Sequence, residues 1–401
     1  MKNLLADRVY RLSESETLAM TRMGRELKTQ GKDVISLSIG EPDFNTPEFI
    51  KDAAKKALDE NYTHYTPVAG FEDLREAVCF KFKRDNNLDY KPENIVVSTG
   101  AKQSLANVVL SLVNPGDEVI VPTPFWVSYS EIIKLAEGKA VFIPANIENN
   151  FKVTPQQIQD AITDKTKVIM FNTPCNPSGS VYSKEEIKSI AEVVAKYPDV
   201  YIISDEIYEH INFVGKHESF AQFDFIKNQV IVVNGLSKGY AMTGWRLGYI
   251  AAPKQIAQAC NKIQGQITSG TSSISQRAAI AALNADPDKV DDMKIMVKAF
   301  KERRDLLLDL LKDIPGFKTN IPNGAFYVFP DISYYFGKSN GNHVINNSKD
   351  LCMYLLDTVY VALVPGSAFG NPDCIRFSYA TSKDNLIEAV KRIKKAVSYL
   401  K

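Results

Sequence analysis

A lysine and an arginine stand eight positions apart in a segment of mostly small residues, 235–248. Lys238 follows the apolar run 230–233, and it is flanked by serine and glycine rather than by charged residues. Burial removes hydration from an ammonium group and lowers its pKa, so a neutral amine that can react with an aldehyde becomes available. The guanidinium of Arg246 is a fork of donors that suits a phosphate. The pair favours pyridoxal phosphate, with an ordinary loop lysine as the alternative for this segment alone.

A second segment, residues 98–103, is typical of an anion site. It follows the predicted strand 95–98 and opens a predicted helix over 102–113. Its small residues let backbone N–H groups approach an anion at the positive end of the helix dipole. The spacing matches neither a G-x-x-x-x-G-K-[ST] loop nor a G-x-G-x-x-G dinucleotide fingerprint. The segment therefore predicts a phosphate site, with a plain helix start as the alternative.

Three more polar residues follow predicted strands. Asp205 and Tyr208 come after the run 200–203, and Asn176 comes after the run 167–171. An aspartate can keep a pyridine nitrogen protonated, and amide or phenol groups can hydrogen-bond the phenolic oxygen of the same ring. Taken singly, Asp205 could be a helix cap and Asn176 a turn residue. Because functional groups gather at the carboxyl ends of strands in open α/β sheets, their shared position favours one site.

The elements that must position these residues are visible as short apolar runs that alternate with longer amphipathic stretches between about residues 94 and 252. Continuous apolar character predicts strands covered on both faces, as in a mostly parallel sheet. One amphipathic stretch, residues 183–196, opens on a Ser-x-x-Glu capping box and predicts a helix. The predicted fold class is α/β, a mostly parallel sheet with helices on both faces. The runs are residues 95–98, 118–121, 141–143, 167–171, 200–203 and 230–233.

The pattern changes near residue 286, where a long charged helical stretch leads into fewer and less regular apolar runs. This change predicts a second, smaller α+β domain. We expect residues 1–47 to form an N-terminal segment that packs with the small domain. Residues 48–287 are then the large cofactor-binding domain, and residues 288–401 are the small C-terminal domain.

Composition excludes several classes of function. The chain has 401 residues, of which 45% are hydrophobic and 24% charged, as in ordinary globular proteins. A net charge of +1 leaves no electrostatic footprint for nucleic acid, and no apolar stretch reaches the roughly 18 residues of a membrane span. The five scattered cysteines and the absence of an export signal favour a reduced, cytoplasmic location. The four histidines lack metal-ligand spacing, so we expect no metal site.

The lysine segment resembles the lysine signature of class I aminotransferases, which are pyridoxal phosphate enzymes of fold type I. The match includes Lys238, Arg246 and the small residues around them, about ten constrained positions in all. Together with the motifs at the other strand ends, the resemblance extends over nearly the whole chain. The chain is similar to the bacterial Ib-type aspartate aminotransferases. The resemblance implies ping-pong transfer of an amino group between an amino acid and a 2-oxo acid.

The resemblance also implies a role for each motif residue. Lys238 would be the catalytic residue, which holds the cofactor as a Schiff base and shuttles the proton. Asp205 would pair with the ring nitrogen, while Tyr208 and Asn176 would hold the phenolic oxygen. Trp126 would stack on the ring. The other implied cofactor contacts are Gly100, Ala101, Lys102, Ser237 and Arg246, and Tyr65 would reach the phosphate in the neighbouring subunit of a homodimer.

The implied substrate contacts begin with the α-carboxylate, which Arg376 would grip with two parallel hydrogen bonds. Gly40, in the N-terminal segment, would lie against the same carboxylate. Trp126 and Asn176 would also contact the substrate.

The resemblance further implies how a distal carboxylate is read. Other aspartate aminotransferases use an arginine of the partner subunit, and the matching stretch 267–273 has none. In the bacterial subgroup a lysine of the phosphate segment takes this role with hydroxyls near the N-terminus, and Lys102, Ser15 and Thr17 match these groups. We therefore expect aspartate or glutamate as the amino donor. A solvated helix lysine is the alternative for Lys102.

Some members of the subgroup also accept prephenate and carry a basic residue just before the hydroxyl motif. Ser13 stands at the matching position, although Arg11 is nearby, so we expect inefficient use of prephenate. The alternatives are an aminotransferase for alanine, aromatic amino acids, kynurenine or prephenate, or a pyridoxal phosphate β-lyase. A non-catalytic cofactor-binding sensor is the least favoured, because the lysine, aspartate and arginine are all present.

Overall fold

The computed structural model describes residues 4–341 and 343–401, in which helices and strands alternate along much of the chain. The α-helices in these residues are α1 (Asp7–Arg11), α2 (Glu16–Thr29), α3 (Glu48–Asp59), α4 (Glu72–Lys81), α5 (Ala101–Leu112), α6 (Ser128–Leu135), α7 (Pro155–Ala161), α8 (Lys184–Val194), α9 (Lys254–Ile267), α10 (Ser273–Asn284), α11 (Asp291–Lys312), α12 (Ser348–Val359) and α13 (Lys383–Val397). The strands are β1 (Ile35–Ser36), β2 (Ile95–Ser98), β3 (Glu118–Thr123), β4 (Lys139–Pro144), β5 (Thr166–Asn172), β6 (Tyr201–Asp205), β7 (Val230–Gly235), β8 (Gly248–Ala251), β9 (Tyr327–Val328), β10 (Ser339–Asn340), β11 (His343–Val344), β12 (Val361–Ala362), β13 (Val364–Pro365) and β14 (Ile375–Ser378).

The main sheet has seven strands in the order β2-β8-β7-β6-β5-β3-β4. Its strands pair in parallel except for β8, which runs antiparallel to β2 on one side and to β7 on the other. Neighbouring side chains of one strand face different cores. Ile95 and Val97 pack with residues of α3, α4, α8 and α10, whereas Val96 packs with residues of α5, α6 and α9. The predicted α/β fold class, with helices on both faces of a mostly parallel sheet, is confirmed.

Each of the six predicted apolar runs lies in a strand of this sheet. The capping box predicted at residue 183 is also present, because the Ser183 hydroxyl accepts from the backbone N–H of Glu186 while the Glu186 side chain accepts from the backbone N–H of Ser183. The remaining strand, β8, was not predicted. It has only four residues and begins with a glycine just after the arginine motif, so periodicity alone gives it little signal.

A second core lies under the C-terminal elements. It is formed by α11, α12, α13, β9 and β14, and it also takes in Met20, Val34 and Leu37 from the N-terminal segment. The short strand β1 pairs in parallel with β12, so the start of the chain is tied to its last hundred residues. The division of the chain at residues 47 and 287 stays a prediction.

The loops at the carboxyl ends of the sheet strands hold the polar motifs. Gly248 lets the antiparallel β8 pass the start of α5, because an added Cβ atom would lie 2.2 Å from the backbone nitrogen of Ala101. Within the described residues, no helix is long and apolar enough to cross a membrane.

Candidate active site

A cavity of about 290 Å³ opens at the carboxyl ends of β5, β6 and β7. Its wall takes residues from the N-terminal segment, from the main sheet and from the C-terminal core. Most of the residues that the sequence predicts for the site line this cavity: Ser15, Thr17, Gly40, Ala101, Lys102, Trp126, Asn176, Asp205, Tyr208, Ser237, Lys238, Arg246 and Arg376. Gly100 lies against Arg246, and Tyr65 lies outside the cavity with its side chain fully exposed.

Lys238 lies in the loop after β7, and its Nζ donates a hydrogen bond to the carbonyl oxygen of Gly40 at 2.6 Å. Burial lowers the pKa of Lys238 to about 8, against the opposing effect of the carboxylate of Glu41. The positive charges of Arg376 and Arg246 lower it further. The neutral amine that a carbonyl requires is therefore accessible close to neutral pH.

Asp205 ends β6 and is almost completely buried. Its Oδ2 accepts a hydrogen bond from the hydroxyl of Tyr129 at 2.7 Å. Burial raises the pKa of Asp205 to about 6, although the hydrogen bond from Tyr129 acts in the opposite direction. Among the described residues, no cation lies within 4 Å of this carboxylate. A protonated ring nitrogen would supply the missing positive charge and favour ionisation.

Asn176 and Tyr208 face the same part of the cavity. The Oδ1 of Asn176 accepts from Arg376 Nη1 at 2.9 Å, so its amide nitrogen is the group left to donate to a ring oxygen. The hydroxyl of Tyr208 lies 2.9 Å from the hydroxyl of Tyr327. The role of Asn176 and Tyr208 at the phenolic oxygen of the cofactor stays a prediction.

The β2–α5 turn and Arg246 form the opposite end of the cavity. Gly100 has φ 82°, and a Cβ atom added to it would lie 2.4 Å from Arg246 Nη2, so only glycine fits against the guanidinium. Arg246 Nη1 donates to the carbonyl oxygen of Thr243 at 2.8 Å, which fixes the side chain. The first N–H groups of α5, beginning at Ala101, lack partners within the helix. These groups and the guanidinium suit a phosphate.

Arg376 on β14 is a buried guanidinium, and no carboxylate lies within 4 Å of it among the described residues. Its Nη2 donates to the carbonyl oxygen of Ser38 at 2.6 Å, and the group lies 4.5 Å from the ring centroid of Tyr327. Its Nε has no hydrogen-bond partner in residues 4–341 and 343–401. Burial lowers the pKa of Arg376, because the charged guanidinium loses hydration.

Lys102 lies on the first turn of α5, with its Nζ 5.0 Å from the ring centroid of Trp126. No hydrogen bond or ion pair of its amine occurs within the part of the chain that the structure describes. Partial burial lowers the pKa of Lys102, and the charge of Arg246 adds to the effect. The hydroxyl of Thr17 is buried without a partner among the residues that the structure describes, and Ser15 lines the same cavity. The distal-carboxylate role of these three residues stays a prediction.

Sequence reasoning missed several residues that line the cavity or hold its groups, among them Tyr129, Tyr327 and Glu41. Tyr129 holds Asp205, Tyr327 contacts Tyr208, and Glu41 lines the cavity beside Lys238. Tyr129 lies in the first turn of α6, where the sequence predicts an aromatic core residue, and its contact with Asp205 is 76 positions away in the chain. Tyr327 lies in an apolar run and reads as core until its long-range neighbours are known. Among the described residues, no three His, Cys, Asp or Glu side chains are grouped as metal ligands.

These features together fit pyridoxal phosphate. Within the described parts of the chain, the buried carboxylate of Asp205 has no cation beside it and the guanidinium Nε of Arg376 has no partner, and the cradle at Gly100 has no room for a Cβ atom. The fold and the site define a pyridoxal phosphate-dependent transferase. The model of the family "Aminotransferase class I and II" matches residues 32–393, and the chain belongs to this family. The predicted family and cofactor are confirmed, since enzymes of this family depend on pyridoxal phosphate.

Individual relatives share the whole length of the chain. An aspartate aminotransferase of Bacillus subtilis (strain 168) is 45% identical over 395 residues, which are 98% of this chain and 98% of that protein. A bifunctional aspartate aminotransferase and glutamate/aspartate-prephenate aminotransferase of Petunia hybrida is 48% identical over 399 residues, 99% of this chain and 83% of that protein. The solved structure of the aspartate aminotransferase from Rhizobium meliloti superposes with a TM-score of 0.95 at 41% identity, covering 99% of both chains. That of the Thermus thermophilus enzyme with maleate gives 0.92 at 38% identity, covering 99% of this chain and 100% of the other.

Proposed function

We propose that the protein transfers the amino group of L-aspartate, or of another acidic amino acid, to 2-oxoglutarate in a ping-pong reaction. One observation carries the proposal. The cavity has four cations that form no ion pair among the described residues, and two of them, Lys238 and Arg246, are assigned to the cofactor. The other two, Arg376 in its buried wall and Lys102 on α5, remain for the substrate. A dicarboxylic substrate supplies one carboxylate for each. The names of the Bacillus and Rhizobium relatives support the same substrate class.

Each side chain of the site has a separate role in this reaction. Bound pyridoxal phosphate supplies the electron sink that makes the substrate Cα proton acidic. Arg376 binds the α-carboxylate and orients the substrate, so that the Cα–H bond lies near Lys238. The amine of Lys238 accepts this proton and returns it, because its lowered pKa makes it a base near neutral pH. Asp205 remains negatively charged next to the ring nitrogen, and Tyr208 donates to the ring oxygen.

The proposal includes a homodimer with shared active sites. Tyr65 supports it, because its aromatic side chain is fully exposed on the single chain although the family resemblance gives it a phosphate contact. An exposed aromatic of this kind is well placed to enter the site of a second copy.

We further propose that prephenate is a poor substrate. Arg11 is the nearest basic residue before the hydroxyl motif, and its guanidinium pairs with Glu137 at the protein surface rather than lining the cavity. A cytoplasmic location is supported by the cysteines, all five of which are unpaired thiols.

Replacement of Lys102 by methionine tests the acidic-substrate proposal. Methionine keeps much of the volume of the side chain and removes the charge. We expect the KM for aspartate to rise at least about tenfold, as for the loss of a charge-assisted contact of 1.5–3 kcal/mol, while the KM for phenylalanine changes little. Steady-state kinetics with both donors and 2-oxoglutarate provide the measurement. Equal effects on the two donors would refute the assignment of Lys102 to the distal carboxylate.

The broader proposal is tested by a panel of amino donors with 2-oxoglutarate as acceptor. Aspartate should give the highest kcat/KM, and Lys238→Ala should lose transamination of every donor while the protein stays folded. Formation of pyruvate and ammonia from a donor with a β-leaving group, without transamination, would show a lyase instead.

A further inference from the structure

Tyr327 lies where three parts of the chain meet. Its position on β9 pairs with Ser378 of β14, the strand that carries Arg376. Its hydroxyl lies 2.9 Å from the hydroxyl of Tyr208, which follows β6 in the main sheet. The same hydroxyl packs against the N-terminal segment so closely that a Cβ atom added to Gly40 would lie 2.7 Å from it. One side chain therefore contacts the N-terminal segment, the main sheet and the C-terminal core at the cavity wall.

The ring and the hydroxyl of Tyr327 have different neighbours. The guanidinium carbon of Arg376 lies 4.5 Å from the ring centroid, a cation–π contact in a buried setting. Together with the ring of Phe369, at 5.0 Å, this contact adds to the two hydrogen bonds of the Nη atoms in holding the guanidinium. Among the described residues its Nε has no partner. The hydroxyl instead reaches Tyr208. The two halves of the side chain therefore act on two different groups of the site.

The hydrogen bond between the two tyrosines has a fixed direction once Tyr208 is engaged. A phenol carries a single proton. If Tyr208 gives its proton to the ring oxygen of the cofactor, it can only accept from Tyr327. Tyr327 is then the donor, and a donor that bonds to the oxygen of Tyr208 strengthens the hydrogen bond that Tyr208 itself donates.

We propose that Tyr327 is a positioning residue that acts on the site twice. Its hydroxyl donates to Tyr208 and so strengthens the bond of Tyr208 to the cofactor's ring oxygen, and its ring holds Arg376 for the substrate carboxylate. The inference rests on the proposed function in that it takes the roles of Tyr208 and Arg376 from it. It goes further, because both the protonation of the cofactor and the binding of the substrate carboxylate then depend on one side chain.

The charged and titratable groups around this pair come from several elements. Lys238 Nζ lies 5.9 Å from the ring centroid of Tyr208, and Asp205 and Tyr129 are close on the side of the main sheet. Arg376 faces both rings from β14. Replacing tyrosine by phenylalanine at 327 leaves all of these groups in place. A change in the titration of the cofactor can then be assigned to the lost hydroxyl.

Two substitutions separate the two roles. Tyr327→Phe keeps the ring and removes the hydroxyl, whereas Tyr327→Leu removes both. The matched control is Tyr379→Phe, because Tyr379 is equally buried and donates to the backbone oxygen of Ala325 at 3.2 Å, close to β9 but outside the cavity. The readouts are the pH midpoint of the bound cofactor's visible absorbance change in the holoenzyme, and the KM values for aspartate and 2-oxoglutarate.

We expect Tyr327→Phe to raise the pH midpoint by a few tenths of a unit to about one unit, because a weaker hydrogen bond stabilises the anionic ring oxygen less. Its KM values should stay within about twofold of the wild type. Tyr327→Leu should also raise both KM values by roughly fivefold or more through the loss of the cation–π contact. Tyr379→Phe should change neither readout.

A midpoint in Tyr327→Phe that equals the wild type, or an equal shift in Tyr379→Phe, would overturn the role of the hydroxyl. Unchanged KM values in Tyr327→Leu would overturn the role of the ring. Failure of the proposed function has a different signature, since the wild-type enzyme itself would then not transaminate aspartate. The spectral titration requires no turnover, so it tests the role of the Tyr327 hydroxyl whether or not the enzyme transaminates aspartate.

Discussion

At the scale of single residues, the same physical cause moves two groups of the site in opposite directions. Burial lowers the pKa of Lys238 to about 8 and raises that of Asp205 to about 6, because each loses hydration of its charged form. Both shifts move the pKa values of these groups toward neutral pH. A cofactor with a cationic ring and an aldehyde suits both. Without the cofactor, the burial of these two groups therefore lowers the free energy of unfolding of the protein.

Replacement of Asp205 by asparagine measures this cost. The unfolded carboxyl has a pKa near 4, so between about pH 4 and pH 6 the native protein holds a proton that the unfolded chain has released. Stability attributable to this group therefore falls as pH rises through that window, by about 3 kcal/mol in total for a shift of about two units. We expect cofactor-free Asp205→Asn to unfold at a higher urea concentration than the wild type at pH 8. The gap should close at pH 4.

The exposed Asp164 provides the control, because Asp164→Asn changes the same charge without burial and should show no gap that depends on pH. Urea titrations of the cofactor-free proteins at pH 4, 6 and 8 give the measurement. An Asp205→Asn protein that is less stable than the wild type at pH 8 contradicts the prediction.

The sequence alone predicts the residues whose role follows from their own type and from their position after an apolar run. Lys238, Asp205 and Asn176 each follow an apolar run, and strand ends of a parallel sheet must meet at one edge. Tyr129 and Tyr327 lack such a signal. Their role depends on contacts with residues 76 and 119 positions away, which no local pattern specifies.

At the scale of elements, the β2–α5 turn brings the backbone of Gly100 into close contact with the guanidinium of Arg246. Gly100→Ala places a methyl group 2.4 Å from Arg246 Nη2 and also strains a residue at φ 82°. We expect weaker binding of pyridoxal phosphate by at least about tenfold, because Arg246 must leave its position. Gly116→Ala is the matched control, since Gly116 has φ 88° but open space around it. The dissociation constant of the cofactor distinguishes the two variants, and equal losses in both would refute the steric explanation.

The loop after β6 is held to α4 by a buried ion pair. Lys81 Nζ pairs with Glu209 Oε1 and donates to Asn86 Oδ1 at 2.7 Å, and both charged side chains are almost completely inaccessible. Burial tends to raise the pKa of Glu209, but Lys81, His210 and His217 outweigh it and hold the pKa below its usual range. The stability from this pair is therefore present above the pKa of the unfolded carboxyl and is lost as pH falls below it.

Breaking this pair on one side leaves a buried charge without a partner. We expect Glu209→Gln to lower the free energy of unfolding by about 3–5 kcal/mol. The double variant Lys81→Met/Glu209→Gln should recover part of the loss, because no uncompensated charge remains. Urea unfolding at pH 7 checks both values. A double variant as unstable as the sum of its single variants would show that the ions do not interact.

Strand and helix positions were largely predictable because burial on both faces leaves continuous apolar runs. The exception is β8. The chain returns through the arginine motif and enters the sheet between β7 and β2, so β8 runs antiparallel to both. The C-terminal strands are only two to four residues long, too short for periodicity to define.

At the scale of the whole molecule, shared active sites can be tested by mixing two defective subunits. If Tyr65 serves the neighbouring site, a hybrid of Tyr65→Ala and Lys238→Ala subunits has one site with both substitutions and one with neither. Random pairing makes half of the dimers hybrids, so about a quarter of the wild-type activity should return beyond that of the parents. Differently tagged, co-expressed subunits allow purification of the hybrid. A purified hybrid without recovered activity would contradict the sharing of sites.

The pairing of β1 with β12 bears on how the protein is made. Ile35 pairs with Val361, so the ribosome must deliver the residues up to β12 before this early strand finds its partner. The main-sheet strands, all before residue 252, can associate first, as is usual for sections completed early in synthesis. Contacts of such long sequence separation form slowly. The wall of the cavity that contains Gly40 is then completed only after β12 has been synthesised, so a nascent chain that lacks β12 has no complete site.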